Sequence, residues 1–374
     1  MRIRSNGIFV LCISCFYILC CRQQASRWGG QIEVQNGITV VKNPMNPMNS
    51  GEVVTLEEEL TIGNDNEKSG HFFSRINDIE VDEDGLIYLI DGADSTIRVF
   101  DKDGDFLRTI GRKGQGPGEF ERPFHIQVTA DNELYVVDYS GARAVHFSLN
   151  GDFLRQTSLP RPILPIRLDS QWNLVGIEVA APPPLGGKVI KKYDSHYKTL
   201  MVIATEEQGT PRVFDIGKPS CYCAVTKSDQ VIWGDSREYA LYVLDPQGRL
   251  IKKITKEHKS QEISAADKDG YKKRYAEALK AGFNIIFRGH YPAYRDILTD
   301  DEGRIWVRTY EHMNTAEDAS CYDIFNSEGI YVAKIPLNMS LDRTSVWKHG
   351  KLYVLLDNPE GYPIVKRYRI KWRD

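Results

Sequence analysis

INDIEVDEDGLIYLIDGADSTIRVFDKDGDFLRTIGRKGQGPGEF, residues 76–120, is followed at once by PFHIQVTADNELYVVDYSGARAVHFSLNGDFLRQTSL, residues 123–159. The second stretch repeats the first with a step of 47 residues. Asp78 falls on His125, Ile79 on Ile126, Tyr88 on Tyr135 and Asp91 on Asp138, and GDFLR recurs at 104–108 and 151–155. Each copy holds short alternating strands separated by Asp/Gly turns, the residues that supply hairpin backbone angles. A repeat of that length built only from strands and turns signals a radial or stacked array.

Weaker copies continue along the chain. ILPIRLDSQWNLVG (163–176) opens a third unit, CYCAVTKSDQVIWG (221–234) a fourth, YRDILTDDEGRIWVR (294–308) a fifth and SVWKHGKLYVLL (345–356) a sixth. The expected fold is all-β: a six-bladed β-propeller of four-stranded antiparallel blades, with one inserted helix between blades 4 and 5. The sixth unit lacks an outer strand before the chain ends at Asp374. Strands at 32–41 and 53–62 precede the first full repeat, and an unpaired sheet edge is a liability. One N-terminal strand is therefore expected to complete the last blade.

Two insertions interrupt the rhythm. The stretch 180–187 contains three consecutive prolines, which a central strand excludes, and reads as a hairpin loop in blade 3. Residues 264–282 read as a helix: Ser264 with Asp267 resembles a capping box, Tyr271, Tyr275 and Leu279 form a stripe, and Gly282 ends it. It is a lid over one mouth of the ring or a helix packing its tyrosines on the rim.

The N-terminus reads as a targeting segment. Arg2 and Arg4 precede an apolar run at 8–19 that is too short to span a bilayer. Ile18-Leu19-Cys20-Cys21 resembles a bacterial lipobox, with Cys21 as the expected lipidated residue and Cys20 as the fallback. The expected organisation is a lipoprotein signal peptide at 1–21, a tether at 22–31 and the propeller at 32–374. Loss of Arg2 and Arg4 takes the net charge from −3 to −5, and no basic run stands out, which argues against a nucleic-acid partner. Cys221 and Cys223 alternate on a strand face, a poor geometry for a disulfide and an incomplete set for zinc.

The repeats resemble NHL-type repeats of six-bladed β-propellers, and in particular the propeller lipoproteins of Bacteroidetes. The phrases carrying this are VQNGITVVKNP (34–44), IGRKGQGPGEF (110–120) and RDILTDDEGRIWV (295–307). The resemblance implies a cell-envelope location, with a lipid anchor in the outer membrane facing the periplasm or the surface. It implies no settled activity.

Propellers bind ligands at the mouth of the axial channel, lined by the innermost strands. Aligning the blades places Asp78, His125, Pro165, Cys223 and Asp296 at one ring position and Asn77, Phe124, Leu164, Tyr222 and Arg295 beside it. The candidate binding residues are Asp78, His125, Tyr222, Arg295 and Asp296. Asp78, His125 and Asp296 are a candidate divalent-metal set. No complete catalytic set is present: His71, His146, His196, His258, His290, His312 and His349 show no ligand spacing, and no G-x-S-x-G elbow occurs. The DxDG stretches lack the later acidic ligand of a calcium loop and read as turns. The glycines of 111–120 lead into a strand, so this stretch reads as a crossover with Phe120 wedged between blades, and not as a phosphate loop. The expected function is a binding or scaffold module for an envelope protein, peptide or glycan. The alternative is a metal-dependent hydrolase or lyase at the channel mouth.

Overall fold

The computed structural model describes residues 28–49, 53–63, 73–159, 163–179, 187–311 and 320–373. The signal segment with Cys20 and Cys21, most of the tether, His71, His312 and residues 180–186 of the proline loop lie outside the described residues.

The chain is a six-bladed β-propeller. Blade 1 comprises Ile76–Val81, Ile87–Asp91, Thr96–Phe100 and Phe106–Ile110, paired antiparallel in that order from the axis outward. Blades 2, 3, 4 and 5 follow the same order, with inner strands Pro123–Val128, Ile163–Leu168, Cys221–Val225 and Asp296–Thr299. Blade 6 has Val346–Lys348, Lys351–Asp357 and Pro363–Trp372 from the C-terminus and takes its outer strand, Val54–Ile62, from the N-terminus. That strand pairs antiparallel with Pro363–Trp372 from Val54↔Trp372 to Ile62↔Val365, which closes the ring as expected.

The earlier N-terminal stretch, expected as one strand at 32–41, is a hairpin of Gln31–Gln35 and Ile38–Asn43. Asn36 and Gly37 turn it, both with positive φ (51° and 80°), the geometry that an Asn-Gly pair accepts at low cost. Ile38–Asn43 then pairs parallel with the outer strand of blade 4, making that sheet six-stranded. Asn43 fixes the dock: its side chain donates to Thr255 O and Gly329 O and accepts from Tyr331 N.

The hydrophobic core is divided among the blade interfaces. Among the described residues six apolar clusters form, one for each pair of neighbouring blades. Phe120 belongs to the cluster between blades 1 and 2, fully buried and 5.6 Å from the Phe147 ring, so the Gly-rich crossover does insert it as a wedge. Burying aromatic and branched side chains between sheets is the main favourable term holding the blades together.

The Asp/Gly turns are turns. Asp82 Oδ1 accepts from Asp84 N and Leu86 N, and Asp101, Asp169, Asp245 and Asp300 repeat that pattern, so these carboxylates are occupied by backbone N–H groups. Such turns define one face of the ring, the turn face. Blade-to-blade connections define the other, the crossover face.

The insertion between blades 4 and 5 starts as expected, with Ser264 and Asp267 completing a capping box. It is two helices and not one: α1, Ala265–Arg274, and α2, Ala276–Lys280, break at Tyr275. Neither buries a residue, and the helices meet their surroundings largely through aromatic contacts. Tyr275 stacks on Phe214 at 4.1 Å and Tyr271 lies 6.3 Å from Phe287. Phe214 and Phe287 sit on Val213–Ile216 and Asn284–Phe287, a parallel pair that ties the insertion to the connection between blades 3 and 4. The insertion therefore stands on the crossover face. No helix among the described residues is long and apolar enough to cross a membrane.

Candidate functional site

The innermost strand of each blade is an edge, and its outward N–H and C=O groups need partners. Here the inner strands satisfy one another through side chains. Asp78 Oδ2 accepts from Ile126 N at 3.0 Å and sits 2.8 Å from His125 Nδ1, while Oδ1 accepts from Ile79 N. Gln127 donates to Leu168 O and accepts from Leu168 N. Asn77 donates to Pro123 O, and Thr299 donates to Val225 O. Asp78 is thus first an inter-blade staple.

Inside this ring, opening on the turn face, lies a cavity of about 350 Å3 to which all six blades contribute. Its charged lining includes Glu80 and Glu83, Arg167, Lys227, Asp229 and Lys348. Burial pushes the Glu80 carboxyl up, and Arg167 and then Lys348 oppose that rise. Lys348 donates to Glu83. Two lining residues carry buried polar atoms with no partner among the described residues, His125 Nε2 and Trp347 Nε1. A buried donor or acceptor without a partner is costly, so a partner from outside the chain is the natural completion.

The five expected site residues divide into two groups. Asp78 and His125 meet on the cavity wall. Tyr222, Arg295 and Asp296 do not line it. They gather toward the crossover face, where Lys188 Nζ lies 4.8 Å from the Tyr222 ring and Arg295 Cζ 5.5 Å from the Tyr310 ring. The candidate metal set is therefore not assembled: Asp296 stands apart from Asp78 and His125, and among the described residues no three His, Cys, Asp or Glu side chains converge on one point.

The ring alignment is also corrected at blade 4. Tyr222, opposite Gly234, occupies the place held by Asp78, opposite Ile90 in blade 1, and Cys223 lies one residue further on. The cause is a register shift between Ile76 and Asp78, repeated between Pro123 and His125, which blade 4 lacks; in blade 3 the shift comes later, between Pro165 and Arg167, so there Leu164, opposite Ile177, holds that place. Cys221, Cys223 and Cys321 are free thiols, and burial pushes Cys223 up to about 12 and Cys321 up to about 11, so they are unreactive filler.

Glu80 and Arg167 were not singled out from the sequence, yet a signal existed. Glu80, Gln127 and Arg167 each stand two residues before the first residue of the following turn, Asp82, Thr129 and Asp169, the same place in each repeat. Lys348 belongs to a two-residue turn unlike the other blades and gave no such cue.

The DUF5128 family model, described as a 6-bladed beta-propeller, matches residues 68–172, the stretch of blades 1 and 2 and the opening of blade 3. Among solved structures the chain is similar to a protein from Bacteroides fragilis described as exported, at 13% identity and a TM-score of 0.51, covering 90% of this chain and 100% of that one. A DUF4221 family member from Bacteroides vulgatus follows at 11% identity and a TM-score of 0.49, covering 86% and 99%. Virginiamycin B lyase from Staphylococcus aureus gives 10% identity and a TM-score of 0.43, covering 84% and 99%. No curated protein matches the chain. At such identities these likenesses speak for the fold alone.

Proposed function

We propose that this propeller is an exported, lipid-anchored binding module that takes a small polar ligand, or the polar end of a larger one, into the turn-face cavity. The observation that carries this is the cavity itself: every blade contributes to it, and carboxylates and cations face one space. Its volume of about 350 Å3 suits a small ligand. A ligand bearing both charges, such as a peptide terminus, matches Arg167 and Lys348 with one end and Glu80 with the other, better than a neutral glycan does. Export and anchoring rest on the basic start, the apolar run at 8–19 and Cys21, in keeping with the exported Bacteroides fragilis protein of the same fold.

One observation favours a second reading. Asp78 holds His125 by Nδ1 and leaves Nε2 without a partner beside the cavity, the arrangement that a general base requires. It would make the protein a hydrolase or lyase acting without a three-ligand metal centre.

A thermal-shift panel of amino acids, short peptides, sugars and divalent metal ions on the chain lacking residues 1–21 tests both. The binding reading expects a zwitterionic compound to raise the melting temperature of the wild type, with the rise lost in Arg167→Ala and in Glu80→Gln. A rise caused only by a metal ion, and lost in His125→Ala, would reject it in favour of metal-assisted chemistry.

A further inference from the structure

We propose that Arg295 and Arg308 form an oxyanion-binding site at the crossover-face end of the axis, separate from the turn-face cavity and independent of what that cavity binds. The two residues are neighbours across the first ladder of blade 5, where Arg295 N donates to Arg308 O. Both guanidinium groups turn to the hydroxyl of Ser320: Arg308 Nη2 donates to Oγ at 2.8 Å and Arg295 Nη2 stands 3.5 Å from it. Ser320 is 2% exposed. The Nε atoms of both arginines are buried and have no hydrogen-bond partner among the described residues.

Four other enclosed arginines are each paired with a carboxylate. Arg98 pairs with Asp91 at 2.7 Å, Arg143 with Asp138 at 3.1 Å, Arg304 with Asp300 at 3.1 Å and Arg367 with Glu59 at 3.2 Å. Among the described residues neither Arg295 nor Arg308 has a carboxylate within the 4.0 Å of an ion pair. Asp296 lies near enough to act on Arg308 electrostatically, but its carboxyl is itself pushed up to about 6 by burial and it forms no pair. Burial, and next the neighbouring Arg295, push the Arg308 guanidinium down from its ordinary value. Two like charges set side by side, with Asp296 and Asp342 acting on Arg308 only from beyond ion-pair distance, are a standing cost to the fold. A bound anion removes it.

The surroundings describe the anion. Guanidinium edges and a hydroxyl match the oxygens of a carboxylate, sulfate or phosphate group. Tyr310 walls the place, its ring 5.5 Å from Arg295 Cζ, and stacks on Tyr291 at 4.4 Å. Tyr291 in turn meets Tyr271 of α1, which brings the insertion against the rim of this site. Aromatic walls beside paired cations suit an oxyanion carried on a ring, as in an acidic or esterified sugar.

Calorimetric and thermal-shift titrations at constant ionic strength, with sodium sulfate, sodium phosphate and sodium glucuronate as probes and glucose as the neutral control, test this. At least one oxyanion should bind saturably while glucose does not. A response to glucuronate alone assigns a carboxylate, and a response to sulfate or phosphate assigns an ester group. Arg295→Gln should weaken binding by about tenfold, the scale of one charge-assisted hydrogen bond. The double variant Arg295→Gln with Arg308→Gln should abolish it and, without anion, melt no lower than the wild type, because the repulsion is gone. The proposal falls if no oxyanion binds saturably, if the double variant binds as well as the wild type, or if that variant melts far lower without anion, which would make the pair a structural strut.

Discussion

Replacing Asp323 should loosen the joint between blades 4 and 5 more than any other single polar change. Asp323 is fully buried on the third strand of blade 5. It accepts hydrogen bonds from Tyr239 Oη and Tyr331 Oη, each at 2.6 Å, and lies 3.3 Å from Lys256 Nζ and 3.6 Å from Lys334 Nζ. Tyr239 and Lys256 belong to blade 4, so one carboxylate ties two sheets. The Lys256 side chain is 2% exposed, and its further support among the described residues is the rings of Tyr239 and Tyr331, each 4.8 Å away. Asp323→Asn keeps the shape and removes the charge. It strands Lys256 as a buried cation, and breaking a buried pair on one side costs about 3–5 kcal/mol. At ~2 °C per kcal/mol for a chain of this size, the melting temperature should drop by about 6–10 °C. Denaturant unfolding followed by tryptophan fluorescence measures the loss directly. Adding Lys256→Met to Asp323→Asn should restore at least half of it, since the stranded charge is then gone. A loss below ~1 kcal/mol, the scale of an exposed pair, or a double variant less stable than Asp323→Asn, would refute the reasoning.

Further expectations follow from other parts of the fold. Burial depresses the His146 imidazole to about 4, so the native state refuses a proton that the unfolded chain accepts below its ordinary value of 6.5. Stability from this residue is full above 6.5 and drains away as pH falls toward about 4, by ~3 kcal/mol at most. His146→Phe, which keeps the contacts with Tyr135 and Trp172, should flatten that part of a stability-against-pH curve, and an unchanged slope would count against it. A chain beginning at Val53 keeps the closing strand and should still unfold cooperatively, weakened by loss of the Asn43 bonds, whereas a chain beginning at Phe73 leaves the outer edge of Pro363–Trp372 open and should lose its cooperative transition in calorimetry.

Much of this architecture was legible in the residues. The 47-residue step, the Asp/Gly turns and the missing outer strand of the sixth unit together implied six blades and their closure, because each rests on local backbone chemistry or on the cost of an open edge. The N-terminal hairpin was missed although Asn36-Gly37 marks it, since its partner strand lies more than two hundred residues away. The site was less legible. A bulge adds a residue ahead of the ring position in blades 1 and 2, after it in blade 3 and none in blade 4, so counting from the strand start chose Pro165 and Cys223 where the register places Leu164 and Tyr222. Ring position also does not tell where a side chain ends: Asp78 turns to the next blade's backbone, while Asp296, at the same position, joins Arg308 and Lys188 in another cluster. Arg308 and Ser320 lie on second and third strands, outside the ring positions that the repeat singles out.

The most direct test of the binding account is to incubate the protein with the compound that stabilises it most and follow both partners by calorimetry and mass spectrometry. The account predicts one ligand bound per chain, recovered chemically unchanged, with binding lost in Arg167→Ala and kept in His125→Asn. A product that appears with time, and disappears in His125→Asn, would contradict it and make Asp78 and His125 the working pair of an enzyme.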